Sequence, residues 1–342
     1  MAHIEVWLYP QCMASAVTGP LDVFAVANAI WAIKNKDEVG QLFSWSLRSI
    51  DGESVVTPSK VCLSVDGAIL ADSKADIVLL PGIYMENGVA GLAADLHAMR
   101  GLLPTLRARH AQGSVLAANC SATFLLAEAG LLNGGHATTT WWLERAFKAR
   151  YPEVSLHLSE ILDEYQNILT SGAATSYLNL AYHLVERFGG QDIASGVAKT
   201  LLIDANRASQ MPYMQLLSMT QQDTHQHENV LVQRAQKWLS LNHHLPFRLP
   251  ALAGHLAVSE RTVIRHFHQT LDTTPATYAQ QVKMDVAKRL LETTTLTLEQ
   301  VAERTGYSDP SSFRRLFKRH SGLSPASYRE QFRPAKRVLS TV

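Results

Sequence analysis

LAGHLAVSERTVIRHFHQTLDTTPATYAQQV (residues 252–282) and VAERTGYSDPSSFRRLFKRHSGLSPASYREQF (301–332) carry one pattern twice. Leu252-Ala253 align with Val301-Ala302, and Ser259 with Ser308, at an offset of 49. One extra residue moves the offset to 50, so Phe267 aligns with Phe317, Pro275 with Pro325 and Tyr278 with Tyr328. A solenoid needs about three copies or more to bury a core. Two copies separated by a helix-forming stretch, Pro275 to Thr293, predict a pseudo-symmetric pair of small helical units.

Each copy reads as helix, short turn, helix. In the first, Pro250 suits the first turn of a helix, and Leu252, Ala253 and Leu256 recur at helical spacing. Ser259 is a candidate N-cap for the next helix, whose Val263 and Phe267 point inward while Arg261, Arg265 and His266 do not. In the second, Leu298, Val301 and Ala302 form the apolar stripe and Gly306 makes the turn. Asp309 or Ser308 caps a helix that starts near Pro310. Phe313, Leu316 and Phe317 face the core, leaving Arg314, Arg315, Lys318 and Arg319 outside.

Charge is divided unevenly along the chain. Residues 246–342 hold 15 Lys+Arg against 8 Asp+Glu, whereas residues 1–245 hold 16 against 22. The net +1 therefore conceals a basic module joined to an acidic one. Basic residues on the second helix of each unit fit a phosphate-rich partner, whose counterions they displace.

The segment GYSDPSSFRRLFKRHSGLSPASYR (306–329) resembles the signature of AraC-type DNA-binding domains. The resemblance implies two helix-turn-helix units, joined by a long helix, that enter successive major-groove segments on one face of double-stranded DNA. The base-facing positions it implies are Arg261, Ile264 and Arg265 in the first unit and Ser311, Arg314 and Arg315 in the second. Lys318 and Arg319 fall nearer the DNA backbone. Arginine reads guanine bidentately, so Arg265 and Arg315 are the leading candidates for base contacts. The first unit departs from the commoner form at Ser259-Glu260, where an aromatic-containing turn is frequent.

Residues 1–188 alternate strand and helix patterns. Strands are expected at Ile4–Leu8, Phe43–Ile50, Ile77–Leu80, Val115–Ala118 and Ile168–Thr170. Helices are expected at Pro20–Ile33, Asp95–Ala111, Ala122–Ala129 and Ala174–Phe188. Such alternation implies a mostly parallel sheet covered on both faces, with ligands bound beyond the carboxyl ends of its strands. DIVLLPGIYMENG (76–88) and SVLAANCSATFLLAEAGLL (114–132) occupy that position. The second places Cys120 at a strand-to-helix turn, where a helix N-terminus lowers a thiol pKa. A buried cysteine without chemistry fits the same local sequence.

Leu8–Phe24, Pro81-Gly82, NCSATFLLAEAGLLNGGHATTTWW and TSGAATSYLNLAYHLVERFGG resemble the PfpI-like, class I glutamine amidotransferase-like superfamily over residues 1–190. With the C-terminal module, the arrangement is similar to GlxA-type members of the AraC family. The implied fold is a flavodoxin-like, mostly parallel α/β sheet followed by an all-α domain with two helix-turn-helix units. Enzymes of the superfamily pair the cysteine with a carboxylate and usually keep a histidine in an ATTHW-like segment. Here Ala16 replaces the carboxylate, Thr140 the histidine, and Ser121 follows the cysteine. A thiol without base or orienting group lacks the machinery of nucleophilic catalysis. The expectation is therefore no enzymatic activity and a pocket kept for binding.

The resemblance implies a pocket lined by Gly82, Ile83, Cys120, Ser121, Thr139, Thr140 and Trp141. Trp141 could hold a cationic nitrogen by cation–π attraction of about 0.5–2 kcal/mol, in keeping with regulators of this type that respond to arginine or quaternary amines. Packing of Trp141 and Trp142 in the core is the competing account. The expected protein is an effector-responsive transcription factor, with homodimerisation of the α/β domain implied by the resemblance and promoter half-sites and RNA polymerase as partners. A cysteine-dependent amidase or hydratase using Cys120, and a Cys120 redox sensor, are the alternatives.

Cys12, Cys62 and Cys120 give no disulfide framework or zinc spacing. His225, His227, His243 and His244 lie in polar contexts without carboxylate or cysteine partners, so neither metal nor cofactor is expected. MAHIEVWLYP shows no signal segment, and no unbroken apolar run approaches 18 residues, which points to the cytoplasm. Residues 191–245 are expected to connect the ligand domain (1–190) to the DNA-binding domain (246–335). That connector includes helices over Asp192–Asp204 and Asn229–Leu241, with Pro212 interrupting.

Overall fold

The computed structural model describes residues 1–36, 39–214 and 229–333. The chain divides into Met1–Gln210 and Met211–Val342. In the first unit a seven-stranded sheet has the order β10-β11-β7-β6-β1-β2-β5. Its strands are β1 (Ala2–Leu8), β2 (Phe43–Ser49), β5 (Gly67–Ala68), β6 (Ile77–Leu80), β7 (Val115–Asn119), β10 (Leu162–Tyr165) and β11 (Ile168–Ser171). All neighbours run parallel except β10 against β11. Two small sheets flank it: β3 (Val55–Val56) with β4 (Cys62–Leu63), and β8 (His136–Ala137) with β9 (Ser155–Leu156).

The helices of this unit are α1 (Ala14–Lys34), α2 (Gly88–Ala98), α3 (Leu103–Ala111), α4 (Thr123–Glu128), α5 (Glu144–Arg150), α6 (Tyr177–Gly189) and α7 (Gln191–Leu201). The pattern expected as one helix over Asp95–Ala111 is two, broken by a turn at Arg100–Leu102, with Pro104 opening α3. Helix α1 begins six residues before Pro20, because Ala16 and Val17 already belong to its buried face with Val23 and Phe24. It is long and apolar enough, with a mean hydropathy of 1.5, to cross a membrane by composition. That average tolerates Thr18, Asp22 and Asn28, which an unbroken apolar run does not. In the fold, α1 packs on β2, α6 and α7.

Strands β1, β6 and β7 are buried nearly throughout, as a sheet covered on both faces requires. An ion pair runs beneath it: Arg109 Nη2 lies 3.0 Å from Glu5 Oε2, with side-chain exposures of 0% and 2%. Trp7 Nε1 donates to the same carboxylate oxygen at 3.1 Å. Together these tie α3 to β1.

The second unit contains α8 (Val230–Leu241), α9 (Leu249–Leu256), α10 (Glu260–Leu271), α11 (Pro275–Thr293), α12 (Leu298–Arg304), α13 (Pro310–Ser321) and α14 (Pro325–Phe332). It has two small cores. The first gathers Val232, Ala235 and Leu239 of α8 with Leu252, Val263, Phe267 and the N-terminal half of α11. The second gathers Met284, Ala287 and Leu291 of α11 with Val301, Ala302, Phe313, Phe317 and Tyr328. Helix α11 thus serves both.

The stretch 191–245, expected as a connector, divides between the two units. Ile193, Ala194 and Val197 join the α/β core, whereas α8 supplies one wall of the first helical core. Part of the polar stretch, residues 215–228 with His225 and His227, lies outside the described residues, as do positions 334–335.

The repeat extends to backbone conformation. Gly306 and Gly322 end α12 and α13 at φ of 74°, and the first copy places Ala257 (56°) and Asp272 (50°) at the corresponding turns. Glycine at 306 has a second cause: a Cβ there would stand 2.6 Å from Lys283 Nζ and 2.7 Å from the His244 carbonyl oxygen. Lys283, on α11, donates to the carbonyls of Leu245 (2.7 Å) and Thr305 (3.0 Å). It therefore pins the approach to the first helix-turn-helix unit to the turn of the second. Burial holds its ammonium below the usual lysine range.

Candidate functional sites

Strands β1, β6 and β7 are adjacent and parallel, so their carboxyl ends meet where the strand order reverses. Tyr9, Gly82-Ile83 and Cys120-Ser121 follow those ends. Cys120 has φ 57°, a strained value for a residue with a side chain. This is the sharp turn expected from the sequence. Gly82 lies against it: a Cβ at 82 would be 3.3 Å from Cys120 Cβ and 3.4 Å from Asn119 Nδ2.

The hydrogen bonds around the turn are mutual. Ser121 Oγ accepts from the Ile83 N–H and donates to the Ile83 carbonyl, both at 2.8 Å. Thr139 Oγ1 donates to the Cys120 carbonyl at 2.8 Å. Gln210 Nε2 donates to the Thr139 carbonyl at 2.9 Å, which adds a buried residue that sequence reasoning did not assign to this region. Tyr9, fully buried, donates its hydroxyl to the Pro81 carbonyl.

Burial pushes the Cys120 thiol above its usual range. The Ser121 backbone and hydroxyl, and the Thr140 hydroxyl beside the thiol, oppose that shift only in part. Asp22 and Glu86 are exposed, and Ala16 is buried in α1. Of the seven predicted pocket residues, Gly82, Ile83, Cys120, Ser121, Thr139 and Thr140 are buried together, and Trp141 is half-buried. Trp141 meets Trp142 edge-to-face at 5.2 Å.

These facts set the chemistry. The thiol is protonated near neutral pH, and the Ile83 N–H, which faces the turn, is already occupied by Ser121. A free N–H pair aimed at a developing oxyanion is what acyl chemistry would use. Alkylation mapped by mass spectrometry should modify exposed Cys62 well before Cys120 at neutral pH. The Cys120 rate should climb only above the ordinary thiol pKa of about 8.5. Faster modification of Cys120 than of Cys62 at pH 7 would contradict this account.

In the helical unit, the eight predicted DNA-facing residues divide between α10 and α13. Arg261, Ile264 and Arg265 are exposed on α10; Ser311, Arg314, Arg315, Lys318 and Arg319 are exposed on α13. Val263 and Phe267, like Phe313 and Phe317, are fully buried on the opposite sides of these helices. Each helix thus presents a polar face while its aromatic anchor fixes it to its own core.

The caps differ between copies. Ser259 accepts from the Thr262 N–H at 3.2 Å. In the second unit Asp309, not Ser308, is the cap, accepting from the Ser311 and Ser312 N–H groups at 3.0 and 2.9 Å. The extra residue of the second copy therefore falls ahead of the cap. These bonds hold the Asp309 carboxyl below its usual range, with Ser312 Oγ the largest cause. Ser312 in turn accepts from Arg315 Nη2 at 3.3 Å, so cap and arginine are linked. Arg314 lies 3.5 Å from Glu299 across an exposed pair.

A helix-turn-helix domain model matches residues 252–331, and the DJ-1/PfpI family model matches residues 18–187. The chain is 22% identical over 327 residues to the HTH-type transcriptional regulator GbdR of Pseudomonas aeruginosa, covering 94% of this chain and 84% of that one. It is 27% identical over 288 residues to the regulator CdhR of the same species, covering 84% and 82%. With the regulator GlxA of Rhizobium meliloti it shares 27% identity over 228 residues, covering 66% and 68%. A solved structure from Vibrio parahaemolyticus has a TM-score of 0.50 at 16% identity, covering 58% of this chain and 98% of that one, a likeness of fold. An α/β domain of the DJ-1/PfpI family joined to a paired helix-turn-helix domain makes this chain a GlxA-type member of the AraC family of regulators.

Proposed function

We propose that this regulator binds a small nitrogen-containing metabolite in its DJ-1/PfpI domain and that occupancy alters how its paired helix-turn-helix units engage promoter DNA. The observation that carries the DNA half is the matched exposure of α10 and α13, each cationic outside and anchored by phenylalanine within. A homodimer presents two such pairs to paired half-sites and raises their effective concentration. Contact with RNA polymerase would make it an activator. The buried, protonated Cys120 and the occupied Ile83 N–H support binding without catalysis.

Because six of the seven pocket residues are buried, entry of an effector requires movement near half-buried Trp141. An effector with different affinities for two arrangements shifts their populations by that difference. A thermal-shift screen of the full chain against amino acids, polyamines and quaternary amines tests the reading. A ligand at 100 times its Kd stabilises the native state by about 2.7 kcal/mol. A hit whose effect is lost in Trp141→Ala supports the proposed pocket; no stabilisation by any nitrogenous metabolite contradicts the effector class.

A further inference from the structure

We infer that His136, His157 and Asp163 form a binding site for a divalent transition-metal ion such as Zn²⁺. His136 stands on β8, His157 directly follows β9, and Asp163 is on the edge strand β10. Pairing of β8 with β9 sets His136 opposite Ser155, and the His157 N–H donates to the Ala137 carbonyl at 2.9 Å. The two imidazoles consequently stack, with centroids 4.7 Å apart and planes inclined by 19°. Both turn Nδ1 toward one carboxylate: His136 Nδ1 lies 2.6 Å from Asp163 Oδ1, and His157 Nδ1 lies 2.7 Å from Oδ2.

The carboxylate is the unusual member. The Asp163 side chain is 6% exposed, whereas the imidazoles are 36% and 46% exposed. A buried carboxylate is costly unless a cation or several donors compensate it. Among the described residues, no lysine or arginine pairs with Asp163. Arg187 and His183 pair instead with the neighbouring Glu164. Thr170, opposite Asp163 on β11, directs its hydroxyl to the Asp163 backbone carbonyl rather than its carboxylate.

Two imidazole nitrogens and one carboxylate oxygen suit Zn²⁺ and its transition-metal neighbours, not Mg²⁺ or Ca²⁺. The three donor atoms lie within 4.8 Å of one another. Donors around a tetrahedral Zn²⁺, with bonds of about 2.0–2.2 Å, stand roughly 3.3–3.6 Å apart. The two imidazole–carboxylate separations, 2.6 and 2.7 Å, are shorter than this, so binding an ion would turn the part-exposed imidazoles to open those contacts while drawing all three donors onto one centre. The Tyr165 ring, 5.2 Å from His136 and inclined at 62°, limits where that imidazole can turn.

An ion here would fasten β8 and β9 to β10. Thr138, Thr139 and Thr140 follow β8 directly, and the Thr138 N–H donates to Thr170 Oγ1 at 2.9 Å. Any influence on an effector rests on the proposed function; metal binding itself does not.

The test uses the full chain, stripped of metal by a chelator and titrated with Co²⁺. One equivalent should develop visible ligand-field bands that Zn²⁺ displaces. Asp163→Asn and His157→Gln should each weaken binding more than about tenfold, while His243→Gln/His244→Gln leaves it unchanged. Asp163→Asn removes a buried charge, so it should fold, which circular dichroism checks. Absence of Co²⁺ binding by the unaltered chain overturns the proposal, as does unchanged binding by His136→Gln/His157→Gln. Effector binding is not a readout, so failure here is distinguishable from failure of the effector reading.

Discussion

Phe317→Ala should destabilise the helical unit by about 3–5 kcal/mol, the range for truncating a buried phenylalanine. Phe317 is fully buried, with its ring 5.8 Å from Phe313 and 5.3 Å, edge-to-face, from Tyr328. The core it fills is small, built from α11, α12, α13 and α14. A cavity there has few neighbours able to collapse into it. Because Phe313 and Phe317 anchor α13, DNA binding should fall with stability. Denaturant titration of the full chain, following the transition of the helical unit, measures the loss. A change below about 1 kcal/mol would mean that α13 is held by something other than its aromatic anchors.

Arg315→Ala should weaken binding to a cognate duplex by about 1–3 kcal/mol and relax preference at one base pair, without loss of stability. Its guanidinium is exposed on α13 and is placed by Ser312, which Asp309 holds through a 2.6 Å hydrogen bond. That chain orients a planar donor pair before DNA arrives. Arg315→Lys keeps the charge but loses the bidentate fork, so it should recover overall attraction and not base preference. Lys318→Ala should instead weaken all sequences alike and reduce the salt slope by about 1. Competition binding against single-base variants of the duplex separates the outcomes. A uniform loss for Arg315→Ala would reassign that residue to the phosphate backbone.

Much of this was legible because strong local signals agreed with one another. The apolar spacing at Val263/Phe267 and Phe313/Phe317, proline near the start of α9, α11, α13 and α14, and capping hydroxyls all lie close in sequence to what they specify. Strands β1, β6 and β7 announced themselves as largely apolar runs, β2 by the alternation of Phe43, Trp45 and Leu47 with polar residues, and β11 by Ile168-Leu169. Other elements did not: β8 and β9 have two residues each, and β10 reads LDEY, whose two acidic residues mask a strand that packs Leu162 and Tyr165 against the core and buries Asp163. Helix α8 did carry its signal, since Val232, Ala235 and Leu239 follow helical spacing, but its distance from the repeat made it read as a connector.

The sites follow the same rule. The turn at Cys120 could be read from a strand, a small residue and a helix in succession. The occupation of the Ile83 N–H by Ser121 depends on two chain segments meeting 38 residues apart, which no local pattern encodes. The cluster of His136, His157 and Asp163 likewise has no recognisable spacing. It arises only when β8, β9 and β10 come together at the sheet edge.

The measurement that bears most directly on the central claim is selection of bound duplexes from a random-sequence pool by the full chain, followed by footprinting of the enriched sites. The account predicts two conserved major-groove segments on one face of the duplex, about one helical turn or 10–10.5 base pairs apart. It also predicts that Arg265→Ala and Arg315→Ala each relax a different segment. Binding that enriches no sequence, or a single segment unaffected by either substitution, would contradict it.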